Sequence, residues 1–152
     1  MPTGPAVDDA DILPPDDEAR LDQQLRNYWN DNQTAIVVAS VPSLEGQSIE
    51  QQATLLFNSW DIGDPETNRG LLILIAPTER QMRIEVGCGL ETVITNAVAK
   101  TIIDNDMIPL FALGQYVHGV EAGVDALTDQ LIDSADAGPA SPFCIAAMRE
   151  AA

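Results

Sequence analysis

The sequence predicts an α/β fold: a three-layer helix–sheet–helix sandwich around a small mixed β-sheet. Two apolar runs rich in β-branched and aliphatic residues, 34–41 and 71–76, have the continuous hydrophobicity of strands that are buried on both faces. A third segment, 81–87, alternates polar and apolar residues, as a strand with one wetter face does. Segments with helical spacing of apolar residues are interleaved with these strands, which is the order typical of layered α/β proteins.

The N-terminal half is predicted to form an extended segment, a helix, a strand and a second helix. Four prolines near the N-terminus favour the extended start, and Pro15 suits the first position of a helix over about 15–30. The strand 34–41 ends at a proline. Ser48 and Gln51 then have the spacing of a capping box, which opens the second helix. From this strand to the next we expect a right-handed parallel crossover.

The C-terminal half is predicted to form a hairpin followed by two helices. A tight turn joins the second strand to the third, and Gly87 and Gly89 end the third strand. Helical spacing resumes at Ile94, and Pro109 is expected to stop that helix. A regular apolar stripe predicts the last helix over about 116–131.

The composition is that of one acidic domain. The chain has 152 residues, which suits a single domain with flanking tails, and its 24 Asp and Glu outnumber its 7 Lys and Arg, for a formal net charge of −17. Such a surface repels phosphate backbones and anionic lipid head groups, so we expect no binding to nucleic acid and no electrostatic binding to membranes. It attracts cations instead, although an acidic surface that serves only solubility is the alternative.

Several classes of site fail on residue content. One histidine, His118, and two cysteines, Cys88 and Cys144, cannot supply the four soft ligands of a zinc site, and no phosphate-binding glycine motif or serine triad is recognisable. The two cysteines could pair in an oxidising compartment, or both could be free. The longest apolar run, 70–76, is far shorter than the roughly 20 residues that span a bilayer. No signal-peptide pattern opens the chain.

Oxygen ligands remain, and they suit Ca²⁺ or Mg²⁺. Asp8 and Asp9 lie in the extended N-terminal segment, Glu85 and Glu91 flank the glycine-rich turn after the third strand, and Asn96 opens the following helix with an amide oxygen. These five residues are predicted to converge on Ca²⁺ in a crevice beside that turn.

A second choice for the metal is the loop Asp61–Asn68, where acidic and amide side chains alternate from Asp64 onward. An EF-hand loop alternates in the same way, but it needs Gly at its sixth position and Glu at its twelfth. Arg69 and Ile75 stand at those places, so the loop is not an EF-hand. A solvated acidic turn is the alternative.

Several short motifs follow one another along the chain: 7–14 (VDDADILP), 60–63 (WDIG), 68–77 (NRGLLILIAP), 80–91 (RQMRIEVGCGLE), 107–111 (MIPLF) and 114–116 (GQY). In their order and spacing they resemble those of the TPM domain family, over about residues 6–132. The family takes its name from a thylakoid lumen protein, a photosystem II protein and an animal receptor modulator.

The resemblance implies a Rossmann-like sandwich, with 1–5 as an N-terminal tail, 6–132 as the TPM domain and 133–152 as a linker and C-terminal tail. Members of the family are usually exported or membrane-anchored. This implies a periplasmic or otherwise extracytoplasmic location, the chain being a mature or truncated form that lacks its signal sequence. Some members bind Ca²⁺, and a weak acid phosphatase activity is attributed to plant members, which are linked to photosystem repair. Carried over by position, the matching acidic residues are Asp8, Asp9, Glu85 and Glu91.

One position departs from the family pattern, because Asn96 stands where an Asp is usual. The substitution keeps an oxygen ligand but removes a negative charge, which weakens a Ca²⁺ site. We therefore predict a Ca²⁺-binding accessory or interaction protein of the cell envelope, whose protein partner could be membrane-associated. The alternatives are a weak metal-dependent acid phosphatase, for which no activated nucleophile is seen, and a pure protein-interaction domain without metal.

Overall fold

The computed structural model describes residues 4–62 and 68–132 of the chain, so the predicted tail 133–152 lies outside the described residues. Strands and helices alternate up to residue 76, a further strand follows directly, and the described residues after it, 88–132, are mostly helical. The elements are β1 (Ala6–Asp8), α1 (Pro15–Asn32), β2 (Ala35–Ser40), α2 (Ile49–Ser59), β3 (Gly70–Ala76), β4 (Gln81–Val86), a 3₁₀ turn (Cys88–Leu90), α3 (Asn96–Ile102), a π-helical turn (Ile103–Met107), α4 (Ile108–Ala112) and α5 (Tyr116–Leu131).

The sheet is mixed and its strands lie in the order β1-β2-β3-β4. The first three strands are parallel, and β4 runs antiparallel to β3. The parallel pairing of β2 with β3 confirms the predicted crossover connection through α2. All seven residues of β3 are buried, as its continuous apolar sequence predicts for a strand covered on both faces.

Helices cover both faces of the sheet and make two separate cores. On one face, α1, α3 and α5 pack on alternate strand residues such as Ile36, Leu71 and Ile84. On the other face, α2 packs on the intervening residues, among them Leu72 and Leu74. This arrangement confirms the predicted three-layer sandwich.

The two helix starts that the sequence indicated are present. Pro15 is the first residue of α1, where its missing N–H costs nothing, and acidic residues fill the first turn. Ser48 accepts a hydrogen bond from the backbone N–H of Gln51, and the Gln51 side chain accepts one from the backbone N–H of Ser48. The capping box therefore fixes where α2 begins, directly beside the β3–β4 hairpin.

Two features differ from the sequence prediction. The extended N-terminal segment pairs with β2 as a fourth, short strand, because Val38 N–H reaches the Pro5 carbonyl and the segment runs on in parallel register. Pro109 does not stop the helical segment, and 110–114 is not a simple bridge. The backbone widens into the π-helical turn, after which Pro109 lies in the first turn of α4, where a proline needs no donor.

Candidate functional site

The carboxylate of Asp8 closes the turn that follows β1. Its Oδ1 accepts hydrogen bonds from Ile12 N–H at 3.0 Å and from the Ser40 hydroxyl at 2.7 Å, and its Oδ2 accepts one from Leu13 N–H at 2.8 Å. The Ser40 Oγ in turn accepts from Ala10 N–H at 3.0 Å. Asp8 is thus engaged with the protein's own donors at the carboxyl ends of β1 and β2.

The two carboxylates that flank the glycine-rich turn, Glu85 and Glu91, lie on β4 and beyond the 3₁₀ turn. Glu85 Oε2 accepts from Arg83 Nε at 3.0 Å in an ion pair on β4. Glu91 and Asn96 are exposed, beyond the 3₁₀ turn and at the start of α3. The cap of α3 is Thr95, whose hydroxyl accepts from Val98 N–H, so the amide of Asn96 is not used in capping.

The sheet register separates these two groups of candidate ligands. Asp8 lies in one row with Ser40, Ile75 and Met82, and Glu85 is three residues further along β4. Three strand spacings of about 4.8 Å and three steps of about 3.3 Å put the two acidic Cα atoms roughly 17 Å apart. Ca²⁺ ligand oxygens lie within about 2.6 Å of the ion. The predicted single site with all five ligands is therefore not assembled in the structure.

No group of three His, Cys, Asp or Glu residues arranged to hold a metal ion occurs in the ranges 4–62 and 68–132. Only the ends of the second-choice loop are described, since 63–67 lie outside the described residues. Its described ends, Asp61 and Asn68, both have positive φ, of 49° and 50°.

The turn after β4 is built on close backbone contact. Gly87 donates its N–H to the Gly70 carbonyl at 2.7 Å, and a Cβ added at Gly87 would lie 2.5 Å from the Asn68 carbonyl oxygen. Asn68 Nδ2 lies 3.0 Å from the Sγ of Cys88, which is disulfide-bonded. Cys144 is the sequence's other cysteine and lies outside the described residues. Gly87, predicted to end the third strand, thus allows the backbone after β4 to approach the backbone at Asn68 and Gly70 closely.

A groove of about 860 Å³ runs along β4. Its floor is the strand itself. One wall comes from the loop before α2 and the start of that helix, and the other comes from α3, the π-helical turn and α4. We call this surface the β4 groove; its lining includes Leu44, Arg80, Met82, Ile84, Ile103 and Ile108.

The charges in the β4 groove balance, in contrast to the acidic whole. Arg80, Arg83 and Lys100 line it together with Glu50, Glu79 and Asp104. Arg83 is paired with Glu85, and Lys100 Nζ lies 2.7 Å from Asp104 Oδ2. Arg80 differs from the other Lys and Arg residues of the described ranges, because its side chain has neither an ion pair nor a hydrogen bond there.

Arg80 stands where the β4 groove meets a second cavity. This cavity of about 410 Å³ is lined by the ends of β3 and α4, and it shares Arg80, Gln81, Met82 and Ile108 with the groove. Arg80 is the last residue of the β3–β4 turn and has a positive φ of 57°. Sequence reasoning missed Arg80 as a site residue, although a cation in a hairpin turn of so acidic a chain was a usable signal.

Sequence reasoning also missed Ser40 as the hydrogen-bond partner of Asp8. Its position at the carboxyl end of a buried strand, where ligands bind in sheets of this kind, could have drawn attention to it. His118 lies exposed on α5, as its place on the polar face of the predicted helix indicated.

Among the titratable groups, Tyr28 on α1 has its pKa raised above the ordinary 10.0, mainly by burial and in spite of the opposing charge of Arg69. Burial disfavours the phenolate, so the ring stays protonated.

The comparisons with known proteins give one family and a consistent fold. A sequence model described as the TPM domain matches residues 6–130. The N-terminal domain of a Porphyromonas gingivalis protein, solved by NMR, is similar with a TM-score of 0.78 and 29% identity, covering 85% of this chain and 82% of that one. The N-terminal domain of a Corynebacterium glutamicum protein shares the fold, with a TM-score of 0.66 at 16% identity, covering 91% and 85%. No curated protein sequence matches.

Proposed function

The chain belongs to the TPM domain family, and from that premise we propose that it is an accessory interaction module of the cell envelope. The observation that supports this best is the β4 groove. It presents an edge strand, apolar side chains and balanced charges, which are what a partner chain contacts, and its described lining has no reactive side chain poised against a base.

An extracytoplasmic location is part of the proposal. The disulfide at Cys88 supports it, because disulfides persist in oxidising compartments and are rare in the cytosol. No helix of the described residues is long and apolar enough to cross a membrane. Thiol trapping in intact cells tests the location: Cys88 should resist a maleimide until a reductant is added. Labelling without reductant would argue for a reducing compartment.

Interaction through the β4 groove can be tested by photo-crosslinking in cells. A photoreactive residue at Ile108, which is 44% exposed in the groove wall, should give a discrete crosslinked product. The matched control is Leu55, which is 53% exposed on α2 and does not line the groove. Equal crosslinking from both positions, or none from either, would contradict the proposal.

Calcium binding stays a prediction, supported by the acidic charge and the resemblance. Since the structure separates the candidate ligands, a bound ion would use either the Asp8–Asp9 end or the Glu85–Glu91–Asn96 end of the sheet. Asp8 is already engaged with three donors, so we favour the second end. There millimolar Ca²⁺ should raise Tm by several degrees, Glu91→Ala should abolish this shift, and Asp9→Ala should preserve it. If millimolar Ca²⁺ leaves the Tm of the parent protein unchanged, the calcium-binding prediction is wrong.

The weak phosphatase remains the second candidate, and one observation bears on it. Phosphoryl transfer depends on positive charge around the transferred group. In the β4 groove Arg83 and Lys100 are already paired with carboxylates, which leaves Arg80 as the cation available there. We expect hydrolysis of a generic phosphate ester far below ordinary enzyme rates of about 1 s⁻¹, with or without divalent metal. Turnover at that rate, lost in Arg80→Gln, would favour the enzyme instead.

A further inference from the structure

The outer edge of β4 carries backbone groups that the sheet does not use. The Gly87 N–H donates to the carbonyl of Gly70, its partner in the antiparallel register. In an antiparallel pair every second residue points its N–H and C=O at the neighbouring strand. Glu85, Arg83 and Gln81 therefore also point theirs at β3. The backbone groups of Met82 and Ile84 therefore point away from β3, and within the described ranges no strand pairs with that side of β4.

The groove beside this edge is held open by specific contacts. On one side, the β3–β4 turn is tied to the loop before α2: Glu79 Oε2 accepts from Leu44 N–H at 3.1 Å, and the Thr78 hydroxyl donates to the Pro42 carbonyl at 2.9 Å. On the other side, Ile103 and Ile108 form an apolar wall above Met82. A segment that enters between fixed walls orders little of the protein, which favours binding.

The two walls of the groove favour one extended segment over a second copy of this chain. Both helical layers contribute walls, so the strand edge lies between them. A single strand needs only the spacing of about 4.8 Å that separates neighbours in a sheet. In a second copy of the chain the same edge lies between two helical walls, and these walls would collide with the walls of the first copy before the two β4 edges could pair.

Arg80 sets the direction of such a segment. An added strand could run parallel or antiparallel to β4, and antiparallel pairing is slightly more stable than parallel pairing. A segment antiparallel to β4 ends beside Gln81, the first residue of β4. Arg80 directly precedes Gln81, is exposed, and has no carboxylate partner among the described residues. A free C-terminal carboxylate would reach this guanidinium at the point where the segment stops.

We propose that the β4 groove binds the C-terminal end of a partner protein as a fifth, antiparallel strand, with the terminal carboxylate on Arg80. Main-chain hydrogen bonds come from Met82 and Ile84. Apolar side chains at alternate positions of the segment pack against Ile103 and Ile108, and the intervening side chains face the polar wall of Arg83 and Glu79. This proposal rests on the proposed interaction role of the β4 groove. If strand addition fails the test below, the crosslinking experiment at Ile108 still decides whether the groove binds a partner in another way.

The test uses two pools of N-acetylated pentapeptides with mixed aliphatic or aromatic residues at positions one, three and five and threonine between them. One pool has free C-terminal carboxylates and the other has C-terminal amides. Titration into the ¹⁵N-labelled full chain should shift the amide signals of Met82, Ile84, Ile103 and Ile108. We expect the free-acid pool to bind about fivefold more tightly than the amide pool.

Arg80→Gln should abolish the preference for the free acid and leave the spectrum of the unbound domain otherwise intact, because the exposed Arg80 side chain makes no hydrogen bond or ion pair with the described residues. Arg20→Gln on α1, outside the groove, is the charge-matched control and should keep the preference. Any of three results would overturn the proposal: no shifts from the free-acid pool at saturating concentration, equal binding of both pools, or shifts of β4 amides with protein concentration alone, which would mean pairing with a second copy.

Discussion

At the scale of single residues, Asp8 contributes structure. Its carboxylate receives two backbone N–H groups and one hydroxyl, and a carboxylate accepting such bonds stabilises the turn after β1. Asp8→Ala leaves those part-buried donors unpaired and should lower the free energy of unfolding by about 2–4 kcal/mol. Urea denaturation measures this.

The neighbouring acid provides the control for that prediction. Asp9 is exposed, so Asp9→Ala should change stability by less than about 0.5 kcal/mol. Equal effects of the two substitutions would mean that net charge, and not the hydrogen bonds of Asp8, sets the stability of this turn.

The sequence could indicate Asp8 as a special residue but not which role it has. An Asp-Asp pair in a proline-rich segment is equally consistent with a metal ligand and with a turn cap. The contact with Ser40 favours the role of turn cap. Ser40 is 32 positions away in sequence, and the parallel pairing of β1 with β2 brings its hydroxyl to hydrogen-bond distance of Asp8. Long-range pairing of this kind leaves no periodic signal in the chain.

Tyr28 gives a prediction on pH. Its raised pKa means that the unfolded chain loses the phenol proton first, so stability is full below about pH 10 and falls as pH rises through the folded-state pKa. Tyr28→Phe should remove part of the stability loss between about pH 9 and pH 11, measured by urea denaturation. If the parent and the variant lose stability equally over that interval, burial does not hold the phenol neutral.

At the scale of elements, the packing of the π-helical turn against α5 depends on a small residue in α5. Met107, fully buried at the end of the π-helical turn, lies against Gly123, where an added Cβ would be 2.6 Å from the Met107 sulfur. Gly123→Ala gains helix propensity of about 1 kcal/mol, but the overpacking costs about 1–3 kcal/mol. We expect net destabilisation in thermal or urea unfolding.

Coupling between the two positions tests this explanation. Met107→Ala removes the side chain that the new methyl group meets, so Gly123→Ala should be less destabilising in that background than in the parent. Purely additive effects would mean that Gly123 is needed for some reason other than the contact with Met107.

The elements themselves were largely predictable, for identifiable reasons. β3 was found because its run of aliphatic residues is too apolar for anything but a buried strand, and α2 because Ser48 and Gln51 mark its start. β1 was missed as a strand because three residues of an extended segment look like any coil until β2 is beside them. The continuation past Pro109 was missed because a π-helical turn depends on packing against α5 and not on local propensity.

At the scale of the whole molecule, the disulfide of Cys88 cross-links the turn after β4. Cross-links of this kind stabilise mainly by restricting the unfolded chain, typically by about 2–4 kcal/mol. A reductant should therefore lower Tm by several degrees at neutral pH, and Cys88→Ser should show the lower Tm with or without it. An unchanged Tm on reduction would mean that the cross-link does not restrain the folded domain.

The candidate site was less predictable than the fold, because it is a product of the assembled layers. The sequence predicted oxygen ligands at Glu85 and Glu91, but it could not show that the sheet sets Glu85 roughly 17 Å from Asp8. Nor could it show that β4 ends up as an edge strand, since strand order emerges only when β1, β2 and β3 pair. An edge of β4 that no strand of the described residues covers, with Arg80 at its end, is therefore a finding of the structure.

Amide hydrogen exchange along β4 tests the central claim, that this strand is an open edge facing the groove. Arg83 and Glu85 point their N–H groups at β3 and should exchange slowly, while Met82 and Ile84 point theirs into the groove and should exchange much faster, by at least about a hundredfold. This alternation, measured by NMR on the full chain at low concentration, would support the account. Equal protection of all four amides would contradict it, because the edge would then already be covered.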